Sequence, residues 1–368
     1  MIKIPIAKPH IDQEDKKAVL QVLNSGQLAL GPKYLEFEQK VAQLTKRKYG
    51  CAVANGTCGL HLAVKALGLK EGDEVITSPF SFISSSNCLL FEKVKPVFVD
   101  IKEDTFNFDP AQIEAKITKK TKAILVVHIF SQSADMKEIL RLAKKHHLKV
   151  IEDACEAIGS NYLGQPTGSL GDIAVFAFYP NKQMTTGEGG MIVTDNKKYK
   201  ELCDSYRNQG RNKMGDWLIH ERLGFNYRMD EMSAALGLSQ LKKLAKMIKE
   251  KAQLAAWYRQ YLQDKKDIIL PVELADRTNS WFIYVIRLTN GQRNLAMEKL
   301  AALGIQTKPY LPVIHLQPFM RKQFAYQKGD FPVAEKVSAQ TLALPFYIGL
   351  TKQDIKYICQ ELLAVYEG

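Results

Sequence analysis

The stretch Gly171-Asp-Ile-Ala-Val-Phe-Ala-Phe-Tyr-Pro-Asn-Lys-Gln-Met-Thr-Thr-Gly-Glu-Gly-Gly190 places one lysine, Lys182, between two predicted strands. Residues 173–178 are apolar and rich in β-branched and aromatic side chains, which is typical of a buried strand. Pro180 ends this strand, and residues 191–194 predict a second strand after a glycine-rich turn. A lysine in such a connection lies at a sheet end, where α/β proteins bind ligands. Taken alone, the stretch fits a surface lysine in a hairpin equally well.

Two further features make the lysine more informative. The predicted strand Val150-Ile-Glu-Asp153 ends in carboxylates, although an aspartate at a strand end is usually a cap or a turn residue. Asn55-Gly56-Thr57 precedes an amphipathic helix, whose free N–H groups and dipole suit a phosphate, although Gly-Thr is also an ordinary helix cap. A Schiff-base lysine, an aspartate for a pyridinium nitrogen and a phosphate site are together what pyridoxal 5'-phosphate (PLP) requires.

Composition is that of a soluble globular enzyme. The 368 residues suffice for two domains, with 46% hydrophobic and 24% charged residues. No apolar run approaches the roughly 20 residues of a membrane helix, and the N-terminus lacks a signal-peptide pattern. The six cysteines include no CxxC pair, which favours a reducing compartment and argues against a zinc site. We therefore expect a cytoplasmic protein that binds no membrane and no metal.

Strands and helices alternate through the first two thirds of the chain. This alternation predicts a mostly parallel sheet with helices on both faces. From about residue 265 the pattern changes to a strand, a helix, an irregular proline-rich segment and a final helix. We predict a large α/β domain at residues 1–240 and a small α+β domain at residues 241–368. A helix that begins after Asp230 is expected to break near Gly237 and to continue to residue 262.

A basic surface leaves a second class of function open. The net charge of +12 favours anionic partners such as nucleic acid, acidic lipid or a phosphorylated metabolite. Five lysines on one predicted helix could contact nucleic acid, as in a regulatory protein, but no aromatic residues interleave them and no nucleic-acid-binding signature accompanies them. We expect a solvated helix face and no nucleic-acid binding. These lysines are Lys242, Lys243, Lys246, Lys249 and Lys251.

The chain resembles the DegT/DnrJ/EryC1/StrS family of PLP-dependent sugar aminotransferases over nearly its whole length. The order and spacing of many motifs make the resemblance specific. They are Ser25-Gly26…Gly31-Pro32, Asn55-Gly56-Thr57, Pro79-Phe-Ser-Phe-Ile83, Pro96-Val-Phe-Val-Asp-Ile101, Glu152-Asp153-Ala154, Lys182-Gln-Met-Thr-Thr-Gly-Glu-Gly-Gly190, Gly224-Phe-Asn-Tyr-Arg228, Tyr310…His315 and Phe331-Pro-Val-Ala-Glu335.

The resemblance implies the α/β architecture of fold type I PLP-dependent aminotransferases. This fold has a three-layer large domain with a mostly parallel sheet and a small α+β C-terminal domain. Lys182 would form the Schiff base and Asp153 would pair with the pyridine nitrogen. Gly56 and Thr57 would hold the phosphate, and Phe82 would stack on the ring.

The resemblance also implies a homodimer with shared active sites. Asn226 would be a phosphate ligand that reaches in from the other subunit. Tyr310 and His315 fall in the segment that binds substrate. The expected reaction moves an amino group from an amino acid, for which the resemblance implies L-glutamate, to a nucleotide-linked keto sugar. We expect a 4-keto-6-deoxy sugar as acceptor, in amino-sugar and cell-surface polysaccharide biosynthesis. A keto-inositol or a 3-keto sugar remains an alternative acceptor.

Two residues depart from the family pattern. Five residues before the lysine, Ala177 stands where many members have a phosphate-binding serine. Three residues after the aspartate, Glu156 stands where many have Gln or His near the PLP hydroxyl, so we expect this acid to change the proton balance there. Members in which histidine replaces the lysine are sugar dehydratases, and Lys182 argues against that activity here.

Overall fold

The computed structural model describes residues 2–211 and 219–367. A seven-stranded sheet lies at its centre, and only one of its strands runs antiparallel to the others. The mostly parallel sheet expected from the sequence is confirmed. In spatial order its strands are β1 (Tyr49–Val53), β9 (Gly190–Thr194, the antiparallel strand), β8 (Ile173–Ala177), β5 (Lys149–Asp153), β4 (Thr121–Val127), β2 (Glu74–Thr77) and β3 (Lys95–Phe98).

Helices cover both faces of this sheet, because alternate residues of each central strand point to opposite sides. In β8, Ile173 and Val175 join one apolar cluster, whereas Ala174 and Phe176 join another. This is the three-layer arrangement of an α/β domain. The helices of the N-terminal two thirds are α1 (Gln13–Ser25), α2 (Pro32–Leu44), α3 (Gly56–Ala66), α4 (Ser84–Leu90), α5 (Met136–Lys145), α6 (Lys197–Arg207) and α7 (Glu231–Leu262).

The C-terminal part has its own smaller sheet and a second apolar core. Its three strands are antiparallel in the order β10 (Ile268–Ile269), β12 (Tyr284–Leu288) and β13 (Thr341–Leu344). A third small sheet consists of β6 (Asn161–Tyr162), β7 (Gln165–Pro166) and β11 (Arg277–Thr278). The remaining helices are α8 (Arg293–Ala302), α9 (Pro318–Phe324), α10 (Pro332–Gln340) and α11 (Lys352–Glu367).

Helix α7 differs from the expectation in its continuity. Asp230 caps it as predicted, since its carboxylate accepts from the Ser233 N–H at 2.8 Å, but the helix does not break at Gly237. A Cβ atom at Gly237 would lie 2.8 Å from the Phe37 ring and 2.9 Å from the Thr186 methyl group. The glycine therefore serves close packing. The proposed domain boundary at residues 240/241 falls within this helix, and the division into domains stays a prediction.

The solvated lysine face expected on α7 is only partly correct. Lys246 is exposed, with 80% of its side chain accessible, and Lys243 forms ion pairs with Asp12 and Asp15. Lys251, however, is buried, with 5% of its surface accessible, so its expected exposure is wrong. No helix in residues 2–211 and 219–367 combines the length and the apolar character that crossing a membrane requires.

Candidate active site

A cavity of about 510 Å³ lies where the central strands end. Strand β5 delivers Asp153 to it, and the loop after β8 delivers Lys182. The start of α3 forms another part of its wall with Gly56 and Thr57. Parallel strands direct their carboxyl ends to one edge, which is why residues distant in sequence meet here. The three groups that the sequence singled out therefore face one space.

Lys182 is largely enclosed, with 13% of its side chain accessible. Its Nζ lies 3.6 Å from Glu156 Oε1 and 4.0 Å from the centroid of the Phe282 ring. A carboxylate and an aromatic face on the same amine hold its position by charge attraction and by cation–π contact. Phe282 comes from the C-terminal part of the chain, so both parts of the molecule contribute to the surroundings of this lysine.

Asp153 is buried, and two hydrogen bonds hold its carboxylate in place. Its Oδ2 accepts from Ser85 Oγ at 2.7 Å, and its Oδ1 accepts from the Cys155 N–H at 3.2 Å. Ser85 in turn lies 2.7 Å from the Ser81 hydroxyl. Asp153 forms no ion pair with any residue in the described part of the chain. A buried carboxylate without a cationic partner matches a ligand that carries a positively charged N–H group.

The start of α3 offers hydrogen-bond donors. Its cap is Asn55, whose Oδ1 accepts from the Cys58 N–H at 2.8 Å. The N–H groups of Gly56 and Thr57 donate to no residue that the structure describes. The Thr57 hydroxyl lies 2.7 Å from the Ser84 hydroxyl at the same wall. Free N–H groups, hydroxyls and the helix dipole together favour an anion at this position.

Close packing explains why the residue at position 56 is glycine. A Cβ atom on Gly56 would lie 2.7 Å from the Ala177 Cβ and 3.1 Å from the Cys155 Sγ. A glycine opposite a small alanine thus lets the helix start approach the sheet edge.

These groups fit PLP. Lys182 supplies an amine for its aldehyde, Asp153 a carboxylate for its protonated ring nitrogen, and the start of α3 donors for its phosphate. The fit rests on an unpaired buried carboxylate and unpaired N–H groups at one cavity.

Comparison with known proteins agrees with this geometry. Residues 9–363 match the DegT/DnrJ/EryC1/StrS aminotransferase family. The chain belongs to this family. Because of this membership it is a PLP-dependent aminotransferase. This agrees with the architecture expected from its sequence.

Individual relatives match this chain along nearly its full length. GDP-perosamine synthase from Caulobacter vibrioides is 37% identical over 98% of this chain and 97% of its own. PseC, an aminotransferase of pseudoaminic acid biosynthesis from Helicobacter pylori, superposes with a TM-score of 0.94 at 29% identity over 99% of both chains. DesV from S. venezuelae, solved with a ketimine intermediate, gives 0.92 at 32% identity over 99% of both chains.

Glu156, the acid that departs from the family pattern, faces Lys182. Its Oε2 accepts from the Phe130 N–H at 2.9 Å, and its other oxygen is the one near Lys182. Burial raises the pKa of Glu156 above its ordinary value, and the positive charge of Lys182 only partly offsets this. A carboxyl group here can therefore hold a proton at a higher pH than an exposed glutamate does.

Other residues suggested by the resemblance differ in how close they lie to the cavity. Phe82 lines it and is 60% exposed, and Tyr310 lines it from the C-terminal part. Burial raises the pKa of the Tyr310 phenol above its ordinary value.

His315 and Asn226 do not line this cavity. His315 is fully buried, with its Nε2 3.0 Å from Glu335 Oε1 and its ring packed against Phe331. Direct substrate contact by His315 is thus not supported within one chain, because the ring belongs to the core. Asn226 is exposed in the segment after residue 218 and pairs through its backbone with Asn208.

Ser85 and Phe282 are site residues that the sequence reasoning missed. A signal existed for the serine, because Ser81 and Ser85 are four residues apart and so lie on one side of a helical turn near a proposed site. Phe282 lay within a predicted strand and gave no signal of its contact with Lys182.

A larger cavity of about 840 Å³ lies beside α2 and α6. Its buried charges satisfy one another, since Arg207 pairs with Glu38 and Asp204, and Lys200 pairs with the same two acids. Asp153, by contrast, forms no ion pair with any described residue, so we assign the chemistry to the cavity that contains Lys182.

Proposed function

We propose that the protein uses PLP bound at Lys182 to transfer an amino group from L-glutamate to a nucleotide-linked keto sugar, a 4-keto-6-deoxy sugar aminated at C4. The observation that supports this most is the meeting of the Lys182 amine, the unpaired Asp153 carboxylate and the free N–H groups of α3 at one cavity. The relatives add the substrate class, since one is named for a GDP-linked amino sugar and another for pseudoaminic acid biosynthesis.

The residues of the chain divide the work. The cofactor, when bound, supplies an electron-accepting ring. Asp153 holds a proton on the ring nitrogen, and Ser85 keeps the Asp153 carboxylate oriented through its 2.7 Å hydrogen bond. The Lys182 amine takes the Cα proton of the amino donor as a general base and later returns a proton as a general acid. The donor product leaves before the keto sugar binds, which gives ping-pong kinetics.

Reductive labelling tests the role of Lys182. Borohydride treatment of the protein with PLP, followed by peptide mapping, is expected to place a phosphopyridoxyl group on Lys182. Lys182→Ala is expected to abolish transamination and to leave PLP bound without a covalent link. A label on any other lysine would refute the assignment.

A substrate comparison tests the acceptor. With L-glutamate as donor, a 4-keto-6-deoxy nucleotide sugar is expected to react faster than a 3-keto sugar or a keto-inositol. The diphosphate is anionic and the chain carries a net charge of +12, so added salt should weaken capture of the nucleotide sugar. Preference for keto-inositol would show that the protein acts in aminocyclitol chemistry.

We further propose a cytoplasmic homodimer in which Asn226 serves the cofactor of the partner subunit. Asn226 is exposed and lies away from its own cavity, and nearby Leu223 exposes 83% of its surface. An exposed position away from its own cavity is what a residue that serves the site of another chain requires.

Mixed dimers test the shared site. Lys182→Ala and Asn226→Ala chains are each expected to be impaired as homodimers. After mixing, both defects fall in one site and the other site is intact, so part of the activity should return. A verified mixed dimer that stays inactive would contradict the sharing.

A further inference from the structure

Lys251 lies behind Lys182, at a second cavity that the candidate active site does not include. This small cavity has a volume of about 20 Å³, which is room for roughly one water molecule. Asn181 and Lys182 line both cavities, whereas Lys251 lines only the small one. Lys182 thus borders both the substrate side and this narrow rear space.

Both lysines contact Phe282. Lys182 Nζ lies 4.0 Å from the centroid of the Phe282 ring, and Lys251 Nζ donates to the Phe282 carbonyl at 3.5 Å. Lys251 Nζ also lies 5.8 Å from the centroid of the Phe346 ring. Phe282 therefore contacts both amines, one with its ring and the other with its carbonyl.

Lys251 has no counter-charge in the described part of the chain. Burial, followed by the positive charge of Lys182, lowers the pKa of Lys251 to about 7. The wall of the rear cavity contains no carboxylate among the residues described, and Glu156 faces Lys182 from the other side. The other titratable residues on this wall are Lys8, His10, Lys182 and Tyr347.

Two acceptors at the rear cavity lack hydrogen bonds. Gln183 is 2% exposed, and its Oε1 accepts from none of the residues described. The buried Oδ1 of Asn181 likewise accepts no hydrogen bond from the residues described. Because buried acceptors normally find partners, these oxygens are suited to accept from a water molecule in the rear cavity.

We propose that Lys182 and Lys251 share one proton, which Lys251 holds while Lys182 acts as a neutral amine. This inference rests on the proposed role of Lys182 in transamination. An N–H bond of the Lys182 ammonium breaks, an N–H bond forms at Lys251, and the net charge of the pair is unchanged. Repulsion disfavours a positive charge on both amines at once, so a charge on Lys182 opposes the protonation of Lys251. Lys251 is a positioning residue, since it acts on the substrate only through Lys182.

Nuclear magnetic resonance of isotopically labelled lysine in the cofactor-free protein tests the pair without an activity assay. Lys251→Met identifies the Lys251 signal. Its titration midpoint is expected near pH 7 and should rise by about one pH unit in Lys182→Met, because a like charge is removed. A Lys251 midpoint at the value of an ordinary lysine would overturn the proposal. So would a midpoint that is the same in the wild type and in Lys182→Met.

The pH dependence of turnover tests the functional half. In Lys251→Met, we expect kcat near neutral pH to fall about tenfold, with KM unchanged. The acid limb of the plot of kcat against pH should move to a pH about one unit higher. In Lys251→Arg the side chain stays positively charged at every pH of the assay, so the acid limb should move to lower pH. A purely structural role would lower kcat in both variants without moving the limb, and this result would refute proton sharing.

Two controls separate the possible failures. Lys246→Met removes an exposed lysine of the same helix and should leave the profile unchanged. Lys251→Met should not lower the melting temperature, since an apolar side chain replaces an unpaired buried amine. If borohydride still labels Lys182 but the two lysines titrate independently, the proton-sharing proposal fails and the proposed function stands.

Discussion

Glu152, the residue before Asp153, is the basis of a sharp prediction about stability. Its side chain is fully buried and accepts four hydrogen bonds. Oε1 accepts from the N–H groups of Leu170 at 2.7 Å and Gly171 at 2.5 Å. Oε2 accepts from the Gly168 N–H at 2.8 Å and from His128 Nε2 at 3.0 Å. The histidine donates from Nε2 because its Nδ1 accepts from a backbone N–H.

Glu152→Gln replaces one of these oxygens with an NH₂ group. Two N–H donors then lose their acceptor, at about 1–3 kcal/mol each, so we expect a loss of about 2–6 kcal/mol in the free energy of unfolding. Urea denaturation of the cofactor-free protein measures it. The control Glu138→Gln breaks an exposed pair with Arg141 and should cost less than about 1 kcal/mol. Equal effects for both variants would refute the reasoning.

The same residue gives a pH dependence. Burial would raise the pKa of Glu152, but the hydrogen bonds from His128 and the Gly171 N–H, together with the positive charge of Arg47 at 3.7 Å, outweigh it and lower the pKa below the ordinary 4.5. A lowered pKa stabilises the fold above pH 4.5, and this contribution disappears as the pH falls through the folded-state value. The stability gap between wild type and Glu152→Gln should therefore narrow below pH 4.5. A gap that widens there would contradict this sign.

Two other substitutions test packing and site support by urea denaturation. Gly237→Ala should gain about 1 kcal/mol of helix propensity but lose about 1–3 kcal/mol by collision with Phe37; a clear stabilisation would contradict the packing. Ser85→Ala should cost about 1.5–3 kcal/mol because it removes a donor to the Asp153 carboxylate. Ser86→Ala, which removes a buried hydroxyl without a partner, should be neutral or stabilising, and equal losses for the two serines would refute the role of the Ser85 bond.

The sequence predicted the central sheet and the meeting of Lys182 with Asp153 for a physical reason. Both residues follow buried strands directly, and parallel strands end at one edge, so position along the chain determines position in space. The catalytic roles of these two residues follow from the chemistry of an amine and a carboxylate, which the fold alone does not determine.

Residues whose surroundings come from distant parts of the chain were harder to predict. The contact of Phe282 with Lys182 depends on how the C-terminal part packs, and His315 became a core residue because Glu335 and Phe331 enclose it. For Lys251 a signal existed: it lies four residues after Met247 and three before Leu254, on the buried stripe of α7.

The unbroken length of α7 limits how the molecule can move. Leu244 and Met247 pack with the helix layer of the central sheet, whereas Leu254 and Tyr258 pack in the C-terminal core. One 32-residue helix thus joins both cores, and a hinge between them would have to bend it and break its backbone hydrogen bonds. Opening and closing around substrates therefore falls to loops and side chains at the cavity rim, and the two cores should move as a single rigid body.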